Sequence, residues 1–170
     1  AKQIKIDSLE NALKYSKEDT SRVKIYHSFF ILTDSLIYAE KALKLSEKLN
    51  YAKGIAKSSE FVGVYYYFIG KYDLSLDYFI KAMKLAENGS DKKLLAEIYK
   101  FIGFIYRPAD PNIATEYYAK SLRLCTEIHD EISESYLLSA IGNVYEGSSG
   151  IDEKNNQDNK QSALEYYLKS

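Results

Sequence analysis

The sequence repeats itself at a fixed step. Lys41–Ala42–Leu43–Lys44–Leu45–Ser46–Glu47 returns as Lys81–Ala82–Met83–Lys84–Leu85–Ala86–Glu87. It returns again, more loosely, as Lys120–Ser121–Leu122–Arg123–Leu124–Cys125–Thr126. These runs begin 40 and 39 residues apart. A second pattern keeps the same step. Phe61–Val62–Gly63–Val64–Tyr65–Tyr66 matches Phe101–Ile102–Gly103–Phe104–Ile105–Tyr106, and then Ala140–Ile141–Gly142–Asn143–Val144–Tyr145. Two patterns sharing one period point to a supersecondary unit that buries its apolar face only against copies of itself.

Residues 54–87 show what the unit is. A helical pattern carries Gly63 and Tyr66, and a Gly70–Lys71–Tyr72–Asp73 turn follows. The next helix puts Ser75, Phe79 and Ala82 on one stripe. This predicts a hairpin of two close helices. Gly63 is expected to free space at the crossing, with Ser75 and Ala82 answering as small groups.

The remaining chain is read in the same register. Residues 1–18 are a capping helix that starts at Asp7 or Ser8 and covers the edge of the first repeat. Residues 19–50 are the first repeat, with Asp19 or Thr20 as its cap. Either Val23 and Tyr26 or Phe29 and Phe30 take its motif places. Its second helix runs from about 34 to 49 with Leu36, Ala39, Ala42, Leu43 and Leu45 inward. Residues 51–90 are the second repeat, ended by Asn88–Gly89 as a helix stop. Residues 91–129 are the third, and Pro111 opens its second helix where a missing N–H costs nothing. Residues 130–170 are the fourth, interrupted by a polar loop insertion at 147–159 and resumed by Ala163, Tyr166 and Tyr167.

At this point the chain resembles the tetratricopeptide repeat family, whose helix–turn–helix unit carries Leu-Gly-x-x-Tyr and then Ala, an aromatic and Ala. The usual unit is about 34 residues, so the resemblance implies helices lengthened by about a turn each. The fold it implies is all-α: a right-handed α-α superhelix of about four long hairpins behind an N-terminal capping helix.

Composition removes several functions. The chain has 170 residues and a net charge of −1, with charges of both signs interspersed. A nucleic-acid groove would need clustered Lys and Arg, so no nucleic-acid partner is expected. No apolar run approaches the roughly 20 residues of a membrane helix, and no stretch reads as a signal peptide. Seventeen tyrosines and no tryptophan suit a repeat array, where rings fill gaps between helices and hydroxyls reach the edge.

Catalytic chemistry needs converging titratable groups. His27, His129 and Cys125 are scattered over the first and third repeats. They are read as packing and turn residues, so no catalytic residue, metal or cofactor is expected. The acidic residues of Asp152–Asp158 lack the alternating ligands and central glycine of a calcium loop.

What remains is a groove. In the family that this chain resembles, the first helix of each pair lines the concave face. The resemblance implies a peptide-binding or protein-binding surface of Glu60, Val64 and Tyr67, then Lys100, Phe104 and Arg107, then Ser139 and Asn143, with Glu146 beyond them. Lys100, Arg107 and Asn143 do not reproduce the family's carboxylate clamp.

The N-terminal order adds a narrower resemblance. Ile6–Asp7–Ser8–Leu9–Glu10–Asn11–Ala12–Leu13–Lys14 precedes Asp19–Thr20–Ser21–Arg22–Val23, and Leu49–Asn50–Tyr51–Ala52–Lys53–Gly54–Ile55–Ala56 follows the first pair. This is similar to the sensor regions of bacterial membrane-anchored regulators that end in a histidine kinase or a helix-turn-helix output. The resemblance implies a periplasmic location and cut ends, with a leader before Ala1 and a membrane anchor and output after Ser170. It also leaves room for a homodimer formed through the parent protein. The alternative is a cytoplasmic scaffold or peptide receptor of a transcriptional regulator. An enzyme is the third and weakest reading.

Overall fold

A computed structural model describes residues 2–148, and every element among them is an α-helix. The chain divides into two compact units, Ala1–Ser90 and Asp91–Ser170. The first unit holds α1 (Lys2–Tyr15), α2 (Thr20–Thr33), α3 (Leu36–Lys48), α4 (Ala52–Phe68) and α5 (Tyr72–Asn88). The second holds α6 (Lys92–Tyr106), α7 (Pro111–Glu127) and α8 (Glu131–Ser148). In each unit, consecutive helices pack on one another.

Helices α2, α6, α7 and α8 start where an aspartate accepts orphan backbone donors. Asp19 accepts from the amides of Ser21 and Arg22, and Asp91 accepts from Leu94. Asp110 accepts from Asn112 and Ile113 ahead of Pro111. Asp130 accepts from the Ser133 amide and hydroxyl.

Helices α3, α4 and α7 stop just before left-handed residues. Asn50, Gly70 and His129 have φ of 50°, 74° and 57°. At each, two reaching-back bonds close the helix. Asn50 N–H bonds Glu47 O and Tyr51 N–H bonds Ser46 O. Gly70 and Lys71 bond Tyr67 O and Tyr66 O, and His129 and Asp130 bond Thr126 O and Cys125 O. This satisfies carbonyls that the last turn would leave open.

Two expectations need correction here. The first helix starts at Lys2, ahead of Asp7, and buries no residue. Asp7 serves instead as acceptor for Gln3 Nε2 at 2.8 Å. α5 does end at the expected Asn88–Gly89 stop, with Gly89 at φ −88° and Ser90 after it left-handed at 52°. Helix α8 runs through Gly147 and Ser148, into the stretch expected to be a loop. The rest of that loop, with Ala163, Tyr166 and Tyr167, lies outside the described residues.

The cores follow the stripes. In the first unit Phe30, Ala39, Leu43, Phe61 and Val62 form one cluster, with the Phe30 and Phe61 rings stacked at 4.6 Å. Val23, Ala42 and Leu45 form another. In the second unit Ala114, Tyr118, Leu122, Cys125, Leu137, Ala140, Ile141 and Val144 pack together.

The crossing at Gly63 differs from its expectation in one respect. A Cβ there would lie 2.8 Å from Phe79 Cε1, so the space belongs to the Phe79 ring. Ser75 contributes a bond rather than a gap, donating its hydroxyl to Gly63 O at 2.8 Å. In α6–α7, a Cβ on Gly103 would lie 2.6 Å from Tyr118 Cδ1. Glycine therefore permits a large buried ring in both hairpins. In α2–α3 the sizes are exchanged, with buried Val23 and Ala39 at the matching places. Close packing requires such a balance of volume.

Candidate functional site: the exposed face of α8 beside Phe104

The expected groove residues fall in both units, and their environments differ. In the first unit Glu60 is only 4 % exposed and its carboxylate pairs with Lys57 Nζ at 2.8 Å. Glu60 is therefore not an open contact for a ligand. Its position inside α4, one turn from Lys57, puts the charge where a neighbour on the same helix can satisfy it. Val64 and Tyr67 are half-buried. The Tyr67 ring packs against Phe68 at 5.3 Å and Tyr72 at 5.9 Å, at the end of the hairpin.

In the second unit the residues divide into a floor and a rim. Lys100 is half-buried, pairs with Glu97 at 2.7 Å and lies over the Phe101 ring at 5.6 Å. Phe104 packs on the core and meets Tyr118 at 5.7 Å. Arg107 is exposed and ends α6, its amide bonded to Gly103 O. Ser139 and Asn143 are exposed on α8, and the Ser139 hydroxyl donates to Ser135 O.

The structure joins α6 to α8 through a residue the sequence reading missed. Tyr136 meets the Phe104 ring edge-on, with centroids 5.9 Å apart and planes at 83°. It is 54 % exposed, and Ile132, one turn earlier, is 86 % exposed. At 100° per residue, Ile132, Tyr136, Ser139 and Asn143 share one face of α8. This face is apolar at its start and amide- or hydroxyl-bearing toward its end. The signal was present in the sequence: Tyr136 stands three and seven residues before Ser139 and Asn143.

The titratable groups do not converge. His27 Nε2 lies 2.7 Å from Ser58 Oγ, and its ring sits edge-on to Phe61 at 5.2 Å. Burial, aided by the Lys57 charge, lowers its pKa to about 4, so the ring is neutral near pH 7. Burial pushes the Cys125 thiol up, and the Asp130 charge adds to this. A thiol held protonated is a packing group. His129 ends α7 with a left-handed backbone. Among the described residues no three His, Cys, Asp or Glu side chains gather as a metal site. No described helix is long and apolar enough to cross a membrane.

Neither a protein-family model nor a curated protein matches this chain.

Proposed function

We propose that the chain is a tetratricopeptide-type solenoid segment that binds a peptide or protein without catalysing a reaction, and that it is the extracytoplasmic sensor portion of a bacterial membrane-anchored regulator. The repeat reading is supported by period. The left-handed residues Asn50, Ser90 and His129 fall 40 and 39 residues apart, in step with Gly63, Gly103 and Gly142.

The binding reading is carried by one observation: the exposed face of α8 that starts at Ile132 and Tyr136, with Tyr136 seated on Phe104. An aromatic ring held on one edge and open on the other loses little conformational freedom when a partner covers it. Ser139 and Asn143 follow on the same face as hydrogen-bonding groups for a partner's backbone. The periplasmic and signalling parts of the proposal rest on the resemblance alone.

Selection of a displayed random-peptide library on the 170-residue chain tests the binding reading. Recovered peptides should share an apolar anchor and lose about tenfold or more in affinity on Tyr136→Ala with Ile132→Ser. Phe104 is unsuitable for this test because its ring also packs on Tyr118. Recovered peptides that bind the double variant as well as the parent would remove this face from the function. For the sensor part, the gene on both sides of these residues should encode a leader and an apolar segment of roughly 20 residues. A neighbouring soluble domain on each side would turn the reading to a scaffold.

A further inference from the structure

A cleft of about 250 Å³ opens between α2 and α3 in the first unit. Its apolar part is formed by Tyr26 and Leu45, and its charged part by Glu18, Arg22, Lys41, Lys44 and Lys48. Four cations thus meet one carboxylate, in a chain whose net charge is −1.

The repeat shows how this cleft arises. Forty residues after Glu18, Arg22 and Lys48 stand Ser58, Val62 and Asn88. Val62 is fully buried in a cluster with Phe30, Ala39 and Leu43. Arg22 occupies the matching position on α2, where the corresponding face is open. Helix α1 touches α2 but buries no residue of its own, so it does not seal this face.

The charges are not equivalent. Arg22 is already committed. Its guanidinium donates to the Ser16 hydroxyl and to the carbonyls of Ser16 and Leu13 at the end of α1. Lys48 is 2.5 Å from Glu18, and this pairing holds the Glu18 carboxyl below the usual carboxylate range. Lys41 lies over the Tyr38 ring at 5.7 Å, a contact that leaves its ammonium donors available. Lys44 is exposed and makes no ion pair among the described residues. Two cations on α3 therefore stand unneutralised beside an apolar floor.

We propose that this cleft is a second binding site, and that it takes an acidic peptide segment of a partner protein. An aliphatic side chain of that segment rests on Tyr26 and Leu45, and carboxylates flanking it meet Lys44 and Lys41. The charge excess selects the sign of the partner. The volume falls just under the usual range of small-molecule pockets, which suits one side chain rather than a cofactor.

The test uses the whole chain and a fluorescein-labelled peptide, acetyl-Glu-Glu-Leu-Glu-Glu-amide, read by anisotropy at low salt. Binding should weaken about tenfold or more on Lys41→Gln with Lys44→Gln, and further on the Glu pair. Lys84→Glu, the exposed counterpart of Lys44 in α5, should change it less than twofold, an order-of-magnitude bound for a distant charge. A peptide with Gly in place of Leu should bind more weakly, and amide signals of Tyr26 and Leu45 should shift on titration. An equal loss with Lys84→Glu would overturn the site, because the attraction would then be diffuse. So would unchanged binding in the Lys41 and Lys44 variants, or no binding up to about 1 mM. Tyr136→Ala should leave this peptide unaffected, which separates failure here from failure of the α8 face.

Discussion

Tyr106 and Tyr117 lie face to face across the α6–α7 hairpin, with ring planes 6° apart and centroids 6.2 Å apart. The same relationship recurs forty residues earlier. Tyr66 and Tyr78 stack across α4–α5 at 5.7 Å and 21°, and Tyr26 and Tyr38 meet across α2–α3 at 6.5 Å and 31°. All six rings are half-buried. Each hairpin is thus joined by a tyrosine pair that covers apolar surface and keeps its hydroxyls near water.

Tyr117→Leu keeps apolar volume but removes the stack, and should destabilise by about 1 kcal/mol, the usual worth of an aromatic pair beyond its buried area. Tyr117→Phe should cost much less. Urea unfolding of the two variants makes the comparison. Equal losses would mean that the hydroxyl, rather than the ring pair, carries the contribution.

The glycine crossings predict a steeper response. Gly63→Ala puts a methyl 2.8 Å from the buried Phe79 ring. The expected loss is about 1–3 kcal/mol, and Gly103→Leu, against Tyr118, should lose more. Gly70→Ala meets no atom within 4 Å and suffers only from its φ of 74°. Its loss should be about 1 kcal/mol. Thermal melts that rank Gly70→Ala as the worst of the three would show that crossing space is not limiting.

His27 makes stability depend on pH. Its folded pKa of about 4 lies below the ordinary 6.5. In that window the unfolded chain binds the extra proton, so stability rises with pH. The contribution is complete above about 6.5 and is lost as pH falls toward 4. The total is on the order of 3 kcal/mol. Unfolding curves of the parent and His27→Gln, taken at several pH values, should converge over this range. A constant gap between them would mean that His27 does not titrate with folding.

Asp110 caps α7 with two amide bonds, at 3.0 and 3.1 Å. Asp110→Ala should cost about 1 kcal/mol and Asp110→Asn much less. Matching melting temperatures for the Ala and Asn variants would argue that Pro111 alone sets the helix start.

Much of the fold could be read from residue order. Seven of the eight helices among the described residues are legible from caps, stops and stripes, because these are local: Asp19 and Asp110 act on amides two or three residues away. The eighth, α1, was recognised but started too late, since Lys2–Ile6 has no cap or break to mark its beginning. The candidate site was less legible. The groove residues came from the family resemblance, which puts Glu60 on the open face, whereas Lys57 pairs with it in a buried setting.

By itself, the sequence determined the helical class, the step of 40 and 39 residues and the inward stripes. Periodicity and capping are short-range properties of the chain. Only the tertiary structure decided that Phe79 and Tyr118 fill the space their glycines open, that tyrosines pair across each hairpin, and that Tyr136 rests on Phe104. Those outcomes depend on which side chains meet between helices far apart in the chain, and packing volume is settled only when both partners are in place.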